Sequence, residues 1–460
     1  MDKTITQARF LIIAVVILSC CGACAGYRAV PLDNQPAPPL AQITVPASTL
    51  LPGGMHSHVF DPTDGLDITE VAMLAITQAP ELNQLRAEAR IAHAQAYAAG
   101  LLPDPVAGLS SDRPLAGQRD AATAITRALS WDIGNLVTLS ARQSVRHQED
   151  MRVNLALLWA EWQTVTQARL HFLHIVHGRA RVARLTEEVN TLRPLVVHAQ
   201  AAVEHAALAA DTAAVAVSAF VDSARQLSDA TLNLNAEEQA LRLLLGLSAA
   251  EPLVLVGDAD LTPLDEVGTD NALNHLTQRR ADLRALAAGY AAQEARVRSA
   301  ILGQFPAINL GFNRSRDNSG IVSAGYGLAV SLPLFDGNRG AIRIERATRD
   351  QLRAEYTLRL LTAQSDIAHV RASEHALTMR AVELRTQAAL LETHLLHATD
   401  AYIAGTLDWT TYLTLRQSAL AASLDLSNLN ESIAECHVTL ALLLFRDTDQ
   451  PTSSAEGALP

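Results

Sequence analysis

Aromatic residues make up only 4% of this 460-residue chain, although apolar residues reach 49%. Without aromatics a large mixed core is hard to fill, whereas the dominant alanine and leucine suit long helices packed closely side by side. Cysteine is scarce: of four, Cys20, Cys21 and Cys24 crowd the N-terminus and only Cys436 lies elsewhere, on an apolar helical stretch that reads as core. Processing at Cys24 would therefore exclude a disulfide within the chain. No basic block stands out and the net charge is −12, which argues against nucleic acid as a partner. Beyond the N-terminus no apolar run approaches the roughly 20 residues that a spanning helix needs, so contact with a membrane is left to strands or to a lipid. Phosphate-binding glycine loops, nucleophile elbows and zinc-protease motifs are missing too. Neither a cofactor nor an enzymatic activity is expected.

What is present begins with an export signal over residues 1–23. Lys3 and Arg9 precede the apolar run Phe10 to Leu18, and small residues follow around the cysteines. A cysteine at the end of such a segment points to lipid attachment, at Cys24 after Gly22-Ala23 or, as a second candidate, at Cys20; the alternative is an ordinary cleaved signal. Residues 24–65, rich in proline and polar residues, read as an extended tether without a core, and 447–460 as a disordered tail.

Between tether and tail the chain states one plan twice, over residues 66–250 and 265–446. Pro103 precedes Gly134-Asn135 by the same interval that separates Pro306 from Gly337-Asn338, and each Gly-Asn opens a long helical stretch. The first copy starts with a helix from about Asp67 to Gly100, broken near Pro80, and the second with a helix from about Asp270 to Leu302. Thr77-Gln78 matches Thr277-Gln278, and Leu243-Leu244-Leu245-Gly246 matches Leu442-Leu443-Leu444-Phe445.

Strands fill the intervals. Ile308, Leu310 and Phe312 alternate with Asn309, Gly311 and Asn313; Tyr326, Leu328, Val330 and Leu332 alternate with small residues. One apolar face against one small or polar face is what a membrane barrel requires; a hairpin half-buried on a soluble domain is the other reading. In the first copy Ile125, Leu129 and Trp131 share a face with Arg127, which predicts a shorter or shifted strand. Four strands cannot close a barrel, so several chains would pool theirs.

From Asn338 to Gly405 an apolar seam runs at coiled-coil spacing, through Leu352, Tyr356, Leu360, Ala363, Ile367 and Val370 to Tyr402. Only Glu374 breaks it. Such a helix would be roughly 100 Å long, and a second, from about Leu407 to Phe445, returns along it. The first copy has the same pair, broken near Ala206 to Asp211.

Taken together, Arg280-Ala281-Asp282-Leu283-Arg284, Phe305-Pro306, Gly325-Tyr326-Gly327-Leu328 and Ser331-Leu332-Pro333-Leu334-Phe335-Asp336-Gly337 resemble the TolC-like outer membrane efflux proteins, as does the start at Cys24. The likeness covers about residues 24–446, with Ala281 where the family typically has proline. It implies a mainly α fold with a small β part: a homotrimer whose four strands per chain make a 12-stranded β-barrel in outer membrane lipid, continued by a long coiled-coil helical barrel through the periplasm. It implies as partners a periplasmic adaptor protein and an inner-membrane pump. The channel would conduct small molecules, heavy-metal cations or proteins, and a non-conducting periplasmic scaffold lipoprotein is the rival reading.

In this family the periplasmic end is often narrowed by acidic rings just after the glycine joining the last two helices, which matches Gly405. The usual acidic positions fall on Thr411 and Thr414, leaving Asp408, and Asp211 near the other tip, as gate candidates; alternatively both carboxylates simply favour helix starts. His171, His174 and His177 lie on one helix, with His56 and His58 in the tether. Histidines paired on one helix face can bind a transition metal, but these spacings spread them over about 120° of the helix, no carboxylate or cysteine cluster joins them in sequence, and they read as solvent-facing.

Overall fold

The computed structural model describes residues 27–32, 39–45, 58–113, 115, 122–257 and 266–446. The export signal, Cys20, Cys24, His56 and the tail lie outside the described residues. Residues 27–32 belong to a separate unit and are exposed and without regular structure.

In the main unit, α1 (Ile68–Gln78) and α2 (Pro80–Ala99) lead to strands β1 (Val106–Asp112) and β2 (Ala124–Asp132), then to α3 (Asn135–Glu204) and α4 (Ala210–Leu244). The second copy follows with α5 (Glu266–Asn274), α6 (Leu276–Arg279), α7 (Ala281–Leu302), β3 (Ala307–Arg316), β4 (Val322–Ser331), α8 (Arg339–Ile403) and α9 (Trp409–Leu444). The order of elements repeats as expected. At 1.5 Å per residue, α3 with 70 residues and α8 with 65 are each about 100 Å long. Among the described residues no helix is long and apolar enough to cross a membrane.

The opening helices break at equivalent points. Ala79 (φ −51°, ψ 120°) precedes Pro80, and Arg280 (φ −65°, ψ 121°) precedes Ala281. Proline forces extended backbone on the residue before it in the first copy; the second copy makes the same bend without proline. The predicted helix from Asp270 to Leu302 is thus three pieces, with a further break at His275.

Copies that agree in sequence spacing differ in conformation. Asn338 (φ 54°) and Gly337 (φ 51°) enter α8 through two left-handed residues. Gly134, before α3, is right-handed instead (φ −59°), and a Cβ there would lie 3.0 Å from the Ile308 nitrogen, so close approach of β3 is what calls for glycine. At the far ends Gly405 turns left-handed at the α8–α9 tip (φ 71°), and Ala206 (φ 54°) makes the matching turn between α3 and α4. The tip glycine missing from the first copy is replaced by an alanine in a conformation that costs an L-residue about 1–2 kcal/mol.

All strand pairings are antiparallel and the order is β1-β2-β3-β4. The two hairpins therefore join through β2 and β3, one from each copy. β2 has nine residues against ten in each of β3 and β4, so it is slightly shorter, as expected, but Arg127 does not break it: the residue stays in the ladder, opposite Leu109 on one side and Arg314 on the other.

The tether is also less detached than its composition suggests. Leu40 and Ile43 are buried with Leu66, Leu74, Phe172 and Leu241, and the Leu40 N–H donates to Glu251 at 2.9 Å. Isolated apolar residues in a proline-rich run carry no periodic signal, so this docking was not visible in the sequence.

Candidate functional site: the two-faced sheet, the helical seam and the tip

Register sorts the sheet residues into two faces. Ile308, Leu310 and Phe312 of β3 lie opposite Val330, Leu328 and Tyr326 of β4, and Trp131 and Leu129 continue the last two rows onto β2. The opposite face holds Ser110, Thr126, Ser130, Asn309, Gly311, Asn313, Ser323, Gly325, Gly327 and Ala329. Leu310, Phe312, Tyr326, Leu328 and Val330 are exposed although apolar, and the Phe312 and Tyr326 rings pack at 5.4 Å. Leu332 is exposed but lies one residue past the end of β4, outside the ladder. Among the described residues β1 and β4 have no partner on their outer edges.

At the start of α7, about 30 Å of helix away from the sheet, the Arg280 to Arg284 motif forms a knot. Asp282 accepts two hydrogen bonds from Arg280, at 2.9 and 2.7 Å, and one from Arg359 of α8 at 2.8 Å. Arg280 lies over the Trp159 ring of α3 at 4.8 Å and reaches the Leu443 carbonyl of α9. Burial raises the Asp282 pKa, but the two guanidinium groups outweigh it and hold the carboxyl below its ordinary value. Beside the knot, Phe445 adopts φ 53°, and its ring lies 4.7 Å from that of Trp162. A cavity of about 970 Å³ opens here between α2, α3, α7 and α8. Five of its charged wall residues are engaged with one another: Glu149 with Arg152 at 2.7 Å and Arg296 at 2.6 Å, Asp282 with Arg359.

Charged rungs then tie α3 of the first copy to α9 of the second. His174 pairs with Glu435 at 2.8 Å, Arg181 with Glu431 at 2.7 Å and Glu188 with Arg416 at 2.8 Å. Residues 174, 181 and 188 recur at the heptad interval, which keeps them on one face; that spacing is the signal the sequence reading missed. The one break in the α8 seam is resolved in the same manner: Glu374 accepts from buried His437 of α9 at 3.0 Å. His171 and His174 are half-buried and paired, not solvent-facing. Both meet Glu237 of α4, at 2.7 and 3.3 Å. His58 meets Asp67 at 3.1 Å. Cys436 is half-buried, and burial pushes its thiol pKa up.

The hydrogen bond to Glu435, helped by the Glu237 charge, prevails over burial and pushes His174 up to about 9. A folded-state pKa above the unfolded value of about 6.5 stabilises the fold fully below that value, and the gain disappears as pH rises through 9. The thermal midpoint should therefore fall between pH 6.5 and pH 9 more steeply than in His174→Gln. Parallel curves for the two proteins would remove His174 as the cause.

At the tip, Leu192, Ala199, Ala213 and Ala216 of the first copy pack with Ala398, Tyr412 and Leu413 of the second. Tyr402 and Tyr412 stack at 4.7 Å. Asp408 is the N-cap of α9 and accepts from the Thr411 N–H at 2.9 Å and from the Thr410 and Thr411 hydroxyls. The Thr410 and Thr411 hydrogen bonds hold its carboxyl far below the usual range. Asp211 is in the first turn of α4 and accepts from the Thr212 N–H at 2.7 Å. The Thr414 hydroxyl donates to the Thr410 carbonyl. The sequence-level candidates Asp408, Asp211, Thr411 and Thr414 thus belong to the two helix starts of the tip.

No protein-family model matches the sequence, and no curated protein does. Solved structures do. CusC, crystallised in a study of the changes accompanying its folding and transmembrane channel formation, has TM-score 0.69 at 16% identity, over 90% of this chain and 98% of CusC. The CmeC outer membrane channel of Campylobacter jejuni has TM-score 0.71 at 15% identity, over 93% of this chain and 96% of its own. The open state of the MtrE outer membrane channel of Neisseria gonorrhoeae has TM-score 0.70 at 16% identity, over 93% of this chain and 100% of that one. Identity this low speaks for the fold alone, and the fold is that of these channels.

Proposed function

We propose that the chain is a TolC-like outer membrane channel, a homotrimer that passively conducts substrates handed on by an inner-membrane pump and a periplasmic adaptor. The observation that carries this reading is the sheet. Apart from three arginines and Ser111 at its loop end it is apolar and exposed on one face, apart from Val106 it is small or polar on the other, and both outer edges are open among the described residues. Lipid outside and water inside would satisfy both faces. Open edges cannot persist in hydrocarbon, so four strands must be closed by those of other copies, and three copies make the 12 expected of the family. Helices of about 100 Å then give the tunnel its length. Lipid on Cys24 would add an anchor. A non-conducting scaffold would need the helices but has no use for a two-faced sheet. The paired histidines lend no particular weight to metal cations over other substrates.

Purified protein should form pores in planar bilayers. A protein that stays soluble without detergent and forms none would sink the reading. At the tip, Asp408 and Asp211 in three copies would make negative rings favouring cations. Asp408→Asn keeps a capping side chain and should lower cation preference; unchanged preference and conductance would remove Asp408 from the gate.

A further inference from the structure

Three arginines interrupt the apolar face of the sheet at its loop end, away from the helices. Arg127 lies directly opposite Arg314, and Arg316, two residues on, lies opposite Ile125. Alternation puts all three on the face of Leu129, Phe312 and Tyr326, one and two rows beyond the Phe312–Tyr326 pair. Like charges directly opposite on a sheet repel, so the arrangement needs a counter-charge. That face of the four strands carries no acid: its residues on β1 and β4 near the arginines are Leu109, Ser111, Val322 and Ala324. Asp112 and Asp132 alternate onto the other face. All three arginines are exposed. Asp317, in the adjoining loop, is occupied by the N–H groups of Ser319 and Ile321 and by the Ser319 hydroxyl.

We infer that Arg127, Arg314 and Arg316 bind the phosphate groups of outer-leaflet lipid. The inference rests on the channel reading, which directs this face to lipid and its loop end to the cell exterior. An arginine facing the barrel exterior is costly at the middle of the bilayer and nearly free at its edge. One row past an aromatic pair of the kind that marks the interface, with Leu109 opposite Arg127 and Ala324 opposite Arg314, the alkyl stems can stay in the apolar layer while the heads reach the headgroups. Guanidinium groups match phosphate oxygens in paired hydrogen bonds, so a phosphorylated headgroup supplies the charge that the sheet lacks.

The test compares the wild type with Arg127→Gln/Arg314→Gln/Arg316→Gln, and with the corresponding triple lysine variant, in nanodiscs of phosphatidylcholine doped with diphosphorylated lipid A. Bound lipid is read by native mass spectrometry, and pores by planar bilayer conductance. The glutamine variant removes charge from a lipid-exposed face, which favours insertion, and it should retain on the order of tenfold less lipid A at unchanged conductance. The lysine variant should fall between the two, because it keeps charge and loses the planar fork. Equal retention by conducting wild type and glutamine variant overturns the lipid site and leaves the channel intact. A wild type that never forms pores overturns both.

Discussion

Asp282→Ala should be the most destabilising single change in the helical part of the molecule, costing about 3–5 kcal/mol. The loss is not that of one favourable pair. Arg280 is only 2% exposed, and removal of its bidentate partner leaves a buried guanidinium with little besides the Trp159 face and a 3.5 Å contact to the Leu443 carbonyl. Arg359 loses the same acceptor. Because the knot gathers the start of α7, the middle of α8, the end of α9 and α3, its failure would loosen the place where both copies meet. The thermal midpoint of the purified protein measures the effect. A midpoint within a degree or two of the wild type would show that the ion cluster carries no stability. Asp282→Asn, which keeps the shape and two acceptor positions on its carbonyl oxygen, should lose less.

Leu328→Arg should abolish membrane assembly. Leu328 lies opposite Leu310, which lies opposite Trp131, in the middle of the apolar band, and it is 65% exposed. An arginine facing lipid at mid-depth costs roughly 2–4 kcal/mol, and a trimer would pay it three times. The variant should be absent from the outer membrane fraction as a trimer and should give no pores. Ala329→Ser, one residue along on the opposite face, should insert and conduct as the wild type does. Normal insertion of Leu328→Arg, or failure of Ala329→Ser, would mean that the faces have been assigned the wrong way round.

Much of this was legible because it is local. Proline, glycine and the change from a period of 3.6 to a period of 2 mark where each element starts and stops, and the boundaries near Gly100, Leu302 and Gly405 follow from them. Two departures had no local signal. Arg280 adopts the proline-like bend with an alanine after it, and Ala206 takes the left-handed turn that Gly405 makes in the other copy. Arg127 is a related case: one strand in isolation shows that an arginine shares the apolar face, but not that it will lie opposite Arg314 of the other copy.

The candidate site divides in the same way. The sequence by itself determined the twofold plan, which needs only the comparison of one stretch with another, and the length of the helices and the alternation of the β3 and β4 faces, which depend on residues a few positions apart. Only the tertiary structure decided that β2 pairs with β3 across the copies, that Glu374 has His437, and that His174 meets Glu237 and Glu435, which are 63 and 261 positions away. Spacing along one helix shows which residues share a face, but not which helix that face will meet. A buried charge is therefore unreadable until its partner, brought by the packing of the other copy, is in place.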